Sequence, residues 1–224
     1  FNVRVIRALA EDIDPVGHSV RLSNGGTLKY DKLVLSPGVE MRWNALEGYD
    51  QAAAQLAPHA WQAGDQTVLL RRQLEAMEDG GVFILSAPGN PFRCPPGPYE
   101  RACVVANYLR AAKPKSKVLV LDSNEEIQSK KGLFTKAFES YKGLIEYVPN
   151  SELRGVDAAS RTAELEFDKI KADVLNVIPP MRAGNIAMKA GLPLINDRWV
   201  DVDWLTLEAK GVPGVHVIGD ALFP

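Results

Sequence analysis

A strand–helix–strand unit in the middle of the chain constrains the fold more than any other feature. Residues 82–85 form a short apolar run that predicts a buried strand, and Pro98 suits the first position of a helix that we predict to reach residue 112. Residues 117–122 predict the next strand. Strands joined through a helix are, with few exceptions, parallel neighbours in one sheet. The unit therefore predicts an α/β fold with a doubly wound sheet of the nucleotide-binding type.

Size and charge limit the kinds of protein that this chain can be. Its 224 residues, 46% of them hydrophobic, suffice for one large domain or two small ones. The net charge of −2 and the lack of a long basic run argue against nucleic-acid binding. No run of about 18 apolar residues occurs, so we predict no membrane span. Two cysteines and three scattered histidines predict neither a disulfide framework nor a metal site.

Further elements follow from the same kind of pattern. An Asn-Gly-Gly turn at 24–26 between two alternating runs predicts a β-hairpin. Residues 30–38 contain an apolar run typical of a strand buried on both faces. The spacing of apolar residues predicts a helix over 67–77. The remaining predicted elements are a helix at 133–141, strands at 144–148, 173–178 and 215–220, and a pair of short strands at 161–167 and from 170 onward.

Both ends of the chain fall inside or close to predicted strands. The first residue is Phe1 rather than Met, and residues 1–8 have the pattern of a strand. Domains seldom begin or end within a core element. We therefore expect the chain to be truncated at both ends.

The loop before the predicted central helix holds the strongest chemical signal. Residues 86–97 contain four of the chain's 15 prolines, and Cys94 lies there between Arg93 and Arg101. A helix N-terminus and nearby cations favour the thiolate, which is the nucleophilic form of cysteine. The alternative is a packed, inert thiol, which is the usual state of a lone cysteine.

Two other residues of this region have both a chemical and a structural interpretation. Glu100 is either a general base or a first-turn glutamate that stabilises the helix dipole. Cys103 lies inside the predicted helix beside apolar residues, so we interpret it as part of the core. The spacing of Cys94 and Cys103 does not exclude a disulfide between them.

A second signal closes the chain, where an apolar strand ends in Gly219-Asp220. Glycine permits close backbone approach, and the carboxylate can accept hydrogen bonds from a ribose or ribitol hydroxyl. A plain turn is the alternative. No G-x-G-x-x-G occurs, although Asp122 stands where the ribose partner of NAD would stand, so we predict that the central region does not bind NAD.

Four segments together resemble the flavin-binding subunit of flavocytochrome c sulfide dehydrogenase, a family related to sulfide:quinone oxidoreductases. They are YDKLVLSPG, RCPPGPYER, NVIPPMRAG and GVPGVHVIGDA. RCPPGPYER is quite specific, whereas the last segment is shared with the wider pyridine-nucleotide-disulfide oxidoreductase superfamily. The resemblance implies two Rossmann-like lobes in a three-layer arrangement, with the FAD lobe incomplete because of the truncation.

The resemblance also implies a cofactor site and a reaction. Gly219 and Asp220 would hold the ribitol and a nearby phosphate of FAD, with Pro37 and Gly38 lining the cofactor. Cys94 would match one half of a redox-active disulfide whose other cysteine is expected beyond the end of this chain.

The resemblance also implies a role for Glu100, which would match an acidic residue proposed to handle a proton. Substrate, partner and location follow from the same resemblance. Sulfide would attack the disulfide, and electrons would pass through FAD to a c-type cytochrome subunit in the periplasm.

The expected domain organisation follows these assignments. Residues 1–40 begin the FAD lobe, 41–78 connect, 79–173 form the second lobe with the cysteine loop, and 174–224 return to the FAD lobe. We expect the fragment itself to be inactive and to bind FAD poorly or not at all. Two alternatives stay open: an enzyme of the sulfide:quinone oxidoreductase type, and a non-catalytic α/β module without cofactor.

Overall fold

A computed structural model describes residues 3–223, which form sixteen strands and four α-helices. The strands are β1 (Ala10–Asp14), β2 (Ser19–Leu22), β3 (Thr27–Lys29), β4 (Leu33–Leu35), β5 (Val39–Met41), β6 (Val82–Ala87), β7 (Lys117–Asp122), β8 (Ile145–Val148), β9 (Gly155–Asp157), β10 (Thr162–Glu164), β11 (Lys169–Lys171), β12 (Val174–Val177), β13 (Met181–Ala183), β14 (Leu194–Ile195), β15 (Trp199–Val200) and β16 (Val215–Val217). The helices are α1 (Asp65–Ala76), α2 (Gly97–Ala112), α3 (Lys131–Ser140) and α4 (Asn185–Lys189).

The chain divides into two compact units. Unit 1 combines residues 1–41 with residues 181–224, and unit 2 is the continuous segment 42–180. Each unit has apolar clusters drawn from its own residues. The predicted α/β class is confirmed, because helices and strands alternate through unit 2.

Unit 2 is built on a four-stranded parallel sheet in the order β12-β6-β7-β8. Its central strands β6 and β7 consist almost wholly of buried residues, as expected for a parallel sheet covered on both faces. Helix α2 contacts β6, β7 and β8, and its buried residues recur at helical spacing. The predicted strand–helix–strand unit is therefore confirmed.

The other face of this sheet carries a different cover. Buried residues of β6, β7 and β12 cluster there with the antiparallel sheet β11-β10-β9 and with residues of the segment 43–57. Ala163 of β10 is fully buried in that cluster. Unit 2 thus has three layers, with helix on one side of the parallel sheet and strands on the other.

Unit 1 is assembled from two distant parts of the chain. The hairpin β2–β3 forms as predicted, with β1 added as a third antiparallel strand. Strands β4 and β16 pair in parallel, with Leu33 opposite Val215 and Leu35 opposite Val217. The antiparallel pair β5–β13 and helix α4 complete the unit, and α4 packs near β1.

Three sequence-based expectations need correction or fall outside the description. Residues 3–9 form no strand, and Phe1 and Asn2 lie outside the described residues. The predicted strand in 30–38 shortens to β4, and it is not buried on both faces, since Val34 is 62% exposed. An apolar run reports hydrophobicity, but it does not report whether a second layer covers it.

The units also draw the domain boundaries differently from the sequence. Residues 41–78 were expected to be a connector, yet all but the first belong to unit 2 and contribute to its core. Strand β12 was assigned to the returning segment, but it pairs with β6 in the central sheet. Strand β12 pairs with a strand about 90 residues earlier in the chain, so its local sequence does not show to which unit it belongs.

No helix of residues 3–223 combines the length and apolar character needed to cross a bilayer.

Candidate functional site

Cys94 lies in the loop that follows β6, directly before helix α2. Its side chain is exposed and its thiol is free. The backbone of Cys94 is left-handed, with φ of 58°, a conformation that non-glycine residues seldom adopt. A turn from the Cys94 carbonyl to the Gly97 N–H, at 2.9 Å, leads into the helix, where Pro98 occupies the first turn. The loop therefore presents the sulfur to solvent at the N-terminus of α2, and the packed alternative does not apply.

Gly97 leaves room for two groups that meet beside the cysteine. A β-carbon added at Gly97 would lie 2.6 Å from Cη2 of Trp61 and 3.1 Å from Sγ of Cys94. Real β-carbons essentially never show the first of these distances, and the second is tighter than most of their contacts. The indole edge and the sulfur are thus neighbours that share the space a larger residue would fill.

Arg101, one turn into α2, holds the other side of Trp61. Its guanidinium carbon lies 5.0 Å from the centre of the indole ring, a cation–π distance. Nη1 donates to the carbonyl of His59 at 2.9 Å, and Nη2 donates to the carbonyl of Ala60 at 2.5 Å. Burial lowers the pKa of Arg101 to about 10, and the nearby Cys94 opposes that shift.

The segment that carries Trp61 is fixed by buried polar groups. Asn176, fully buried on β12, donates through Nδ2 to the carbonyls of Pro58 and His59 and accepts from Arg101. Nδ1 of His59 accepts from the Trp61 N–H at 2.9 Å. His59 is 3% exposed, and burial together with the charge of Arg101 lowers its pKa to about 4. The imidazole is therefore neutral at physiological pH.

Glu100 and Cys103 lie on α2 close to this group. Glu100 is exposed in the first turn, and its backbone N–H donates to the carbonyl of Pro96 at 3.0 Å. Cys103 is free and partly buried against the cluster of Tyr99, Ile127 and Phe134. Burial and the charge of Glu100 raise the pKa of Cys103. The interpretation of Cys103 as a packed residue is confirmed, and no disulfide joins it to Cys94.

Asp122 has a structural task inside unit 2. It is fully buried, and Oδ2 accepts hydrogen bonds from the hydroxyls of Tyr99 at 2.7 Å and Tyr147 at 2.9 Å. Oδ1 accepts from the backbone and side chain of Asn124. Burial, with Asp122 beside them, raises the pKa of both tyrosines. These bonds use both oxygens of the carboxylate inside unit 2.

The residues predicted for FAD meet at one edge of unit 1. Because β4 and β16 are parallel neighbours, Pro37-Gly38 and Gly219-Asp220 follow the same ends of the pair. Both glycines have positive φ, and a β-carbon on Gly219 would lie 3.3 Å from Oγ of Ser36. Asp220 is exposed in a short 3₁₀ helix. An open edge with glycines and a carboxylate fits the ribitol end of a flavin nucleotide.

The structure thus forms two groups from the predicted site residues. Cys94 and Glu100 lie together at the start of α2, and the four flavin-edge residues lie together in unit 1. Trp61, His59 and Asn176 were missed, because nothing local in the sequence links them to the cysteine loop. Within the described part of the chain, no group of three or more His, Cys, Asp or Glu side chains is arranged to hold a metal ion.

Comparison with known proteins identifies relatives among sulfide-linked oxidoreductases. The mouse mitochondrial sulfide:quinone oxidoreductase is 22% identical over 97% of this chain and 50% of its own length. The corresponding Dictyostelium discoideum enzyme is 22% identical over 92% of this chain and 47% of its own length. The chain therefore spans about half the length of these curated relatives.

Solved structures show the same fold. The sulfide:quinone oxidoreductase of Aquifex aeolicus matches with a TM-score of 0.81 at 18% identity, covering 99% of this chain and 53% of that one. Putidaredoxin reductase, in its covalent complex with putidaredoxin, matches with a TM-score of 0.71 at 16% identity, covering 96% and 49%. The fold predicted for this chain, that of FAD- and NAD(P)-binding oxidoreductases, is thus confirmed.

A family model covers the part of the chain that contains the cysteine loop. Residues 67–179, half of the chain, match the central region of the sulfide dehydrogenase (flavocytochrome c) flavoprotein chain. The match lies within unit 2 and includes Cys94, Glu100 and Arg101. The chain belongs to the family of flavocytochrome c sulfide dehydrogenase flavoproteins.

Proposed function

We propose that the full-length protein is an FAD-dependent oxidoreductase that oxidises sulfide through Cys94. One observation carries the proposal: an exposed, free thiol stands at a helix N-terminus near a partly buried arginine, within the segment that matches the family. A cation and a helix N-terminus both favour sulfur in its anionic form. The curated sulfide:quinone oxidoreductases that the chain resembles support sulfide as the substrate.

The proposed chemistry is thiol–disulfide exchange. The sulfur of hydrosulfide bonds to one sulfur of a cysteine disulfide, the S–S bond breaks, and its electron pair leaves on the other sulfur as a thiolate. Cys94 supplies one of the two sulfurs. Cys103 does not supply the other, because it packs against Tyr99 and Phe134. We propose that the second cysteine comes from the rest of the full-length protein.

The flavin belongs at the other group of residues. When bound, FAD would accept the electron pair that sulfide gives up. Asp220 would accept hydrogen bonds from ribitol hydroxyls, and Gly38 and Gly219 would let the cofactor approach the backbone. Glu100, exposed near Cys94, would take up or release the proton of hydrosulfide.

The test is sulfide-dependent flavin reduction in the full-length protein. Cys94→Ser should abolish bleaching of the flavin band by sulfide, while Cys103→Ser, the matched control, should retain it. Wild-type bleaching in Cys94→Ser would remove Cys94 from the reaction. An absorption spectrum of the 224-residue chain after incubation with FAD tests the further expectation that this fragment holds the cofactor weakly.

The electron acceptor separates two versions of this function. The family to which the chain belongs is that of a flavocytochrome c flavoprotein, and this name supports a c-type cytochrome subunit as acceptor. A periplasmic location is part of the same proposal. The resemblance to sulfide:quinone oxidoreductases favours quinone instead. Steady-state assays of the full-length protein with cytochrome c and with a soluble quinone decide between them, and a haem subunit that co-purifies would argue against quinone.

A further inference from the structure

Arg101 is a desolvated cation with no carboxylate partner among the described residues. Ten ion pairs occur in residues 3–223, and none of them includes Arg101. Its hydrogen bonds go to two carbonyls and one amide oxygen, which are neutral acceptors. Neutral acceptors satisfy the N–H groups but leave the positive charge in place. A partly buried charge without a counter-ion favours the approach of an anion to it.

The geometry of this cation is fixed rather than adaptable. The carbonyls of His59 and Ala60 and the side chain of Asn176 hold three of its donor bonds, and the indole of Trp61 packs on its face. Asn176 is fully buried and binds the same loop from below through Nδ2. The guanidinium is therefore held in one position, and its positive electrostatic potential is directed at one part of the surface.

That place is the sulfur of Cys94. Trp61 stacks on Arg101 and also reaches the space beside Gly97, where Sγ of Cys94 lies. Arg101 follows Gly97 by four residues, so the two share one face of α2. Cys94 also opposes the fall in the pKa of Arg101, so the two groups lie within electrostatic reach of each other. No other residue of α2's first two turns combines a positive charge with this position.

We propose that Arg101 is a positioning residue that makes the space around Cys94 selective for small anionic sulfur species such as hydrosulfide. Trp61 forms the wall of that space, and Gly97 leaves it open. The proposal rests on the proposed function of Cys94 and adds to it the residue that selects the charge of the incoming group.

The test compares an anionic and a neutral alkylating reagent on the same sulfur. In the 224-residue chain with Cys103→Ser, Cys94 is the only cysteine, and the ratio of its rate constants with iodoacetate and iodoacetamide is measured. The reactivity of the thiolate cancels in this ratio, so the ratio reports attraction of negative charge. We expect Arg101→Gln to lower the ratio by roughly three- to tenfold, as expected for the loss of one nearby charge. Arg101→Lys should restore most of it.

A matched control lies at the other end of the same helix. Arg110 is exposed, hydrogen-bonds to Asn107 and stacks on Tyr141. Arg110→Gln removes one positive charge from α2 and should leave the ratio within about a factor of two of the wild type, because charge at that distance is screened by solvent.

A second variant guards against misfolding of Arg101→Gln. Arg101→Met removes the charge and keeps an unbranched side chain that can still pack on Trp61. It should lower the ratio as Arg101→Gln does, since neither substituted side chain carries a charge. An unchanged ratio in whichever of these variants folds overturns the proposal. Alkylation needs neither flavin nor sulfide, so this failure is distinct from a full-length protein that sulfide does not reduce.

Discussion

At the scale of single residues, the space around Cys94 depends on one missing methyl group. Gly97 is not one of the glycines with a positive φ. The site therefore requires a glycine here for its small size and not for its backbone freedom. A β-carbon there meets the indole of Trp61 and the sulfur at contact distances that force a shift.

Gly97→Ala should therefore disturb the site although alanine is the better helix former. We expect a loss of about 1–3 kcal/mol in the free energy of unfolding from overpacking, and a change in the alkylation rate of Cys94. Gly132→Ala, in the first turn of α3, is the control, because nothing lies within 4 Å of its added β-carbon. That variant should be stabilised by up to about 1 kcal/mol. Equal effects of the two substitutions in urea unfolding would contradict the steric argument.

His59 should make the protein less stable in acid. Its pKa falls from 6.5 to about 4 on folding. Between these two pH values the imidazole is protonated in the unfolded state and neutral in the folded state. The stability that depends on the neutral ring is full above pH 6.5 and is lost as the pH falls towards 4, by roughly 2–3 kcal/mol.

His59→Asn isolates this contribution, since the amide oxygen can replace Nδ1 as acceptor for the Trp61 N–H. Urea unfolding at a series of pH values should show a smaller loss between pH 6.5 and 4 in the variant than in the wild type. At pH 7.5, where the ring is neutral in both states, the two should differ least. Parallel curves over the whole range would show that His59 does not titrate in this way.

Sequence reasoning selects candidate residues where chemistry is encoded locally. Cys94 and the Gly219-Asp220 pair stand in short motifs, and the structure shows Cys94 as an exposed, free thiol and Gly219-Asp220 in a short 3₁₀ helix. Trp61 and Asn176 reach the cysteine loop only through the fold, because each lies on a different element. No spacing rule connects such residues, so they emerge only when the sheet brings them together.

At the scale of elements, helix α2 is tied to the sheet by polar bonds as well as apolar packing. Tyr99 in its first turn donates to Asp122 at the end of β7, and its hydroxyl also accepts from the N–H of Gln128. Tyr147 on β8 donates to the same oxygen of Asp122. The start of α2, and with it the cysteine loop, is thereby fixed to two strands.

Tyr99→Phe should cost about 1–3 kcal/mol in the free energy of unfolding, because it leaves a buried carboxylate short of one donor. Tyr108→Phe on the same helix is the control. Its hydroxyl makes no hydrogen bond to the described residues, and its ring stacks under Arg71. The control should change by less than about 0.5 kcal/mol. Similar losses in both variants, measured by urea unfolding, would show that the hydrogen bond from Tyr99 to Asp122 does not stabilise the protein.

Element prediction followed the strength of each pattern. The central strands, α1, α2 and the hairpin were predicted because apolar periodicity and turn residues agree there. Strands β13–β15 and helix α4 were missed, because each is five residues or shorter and is set by its partners. Residues 3–9 show the opposite outcome: their alternating pattern predicts a strand, but they pair with no other strand in the described part of the chain.

At the scale of the whole molecule, the separate apolar clusters predict separate folding units. The cluster of unit 1 draws on residues 13–35 and 183–222, whereas that of the central sheet lies within 46–177. A fragment of residues 42–180 should therefore fold alone, with a cooperative urea transition and dispersed amide resonances. A fragment without a cooperative transition would show that unit 2 needs the remaining chain.

The discontinuity of unit 1 has a consequence for biosynthesis. On the ribosome, β4 emerges well before β16, its parallel partner, and all of unit 2 is translated between them. Domains tend to fold as units while the nascent chain is still growing. One edge of β4 must therefore stay unpaired, and prone to non-native association, until β16 leaves the exit tunnel.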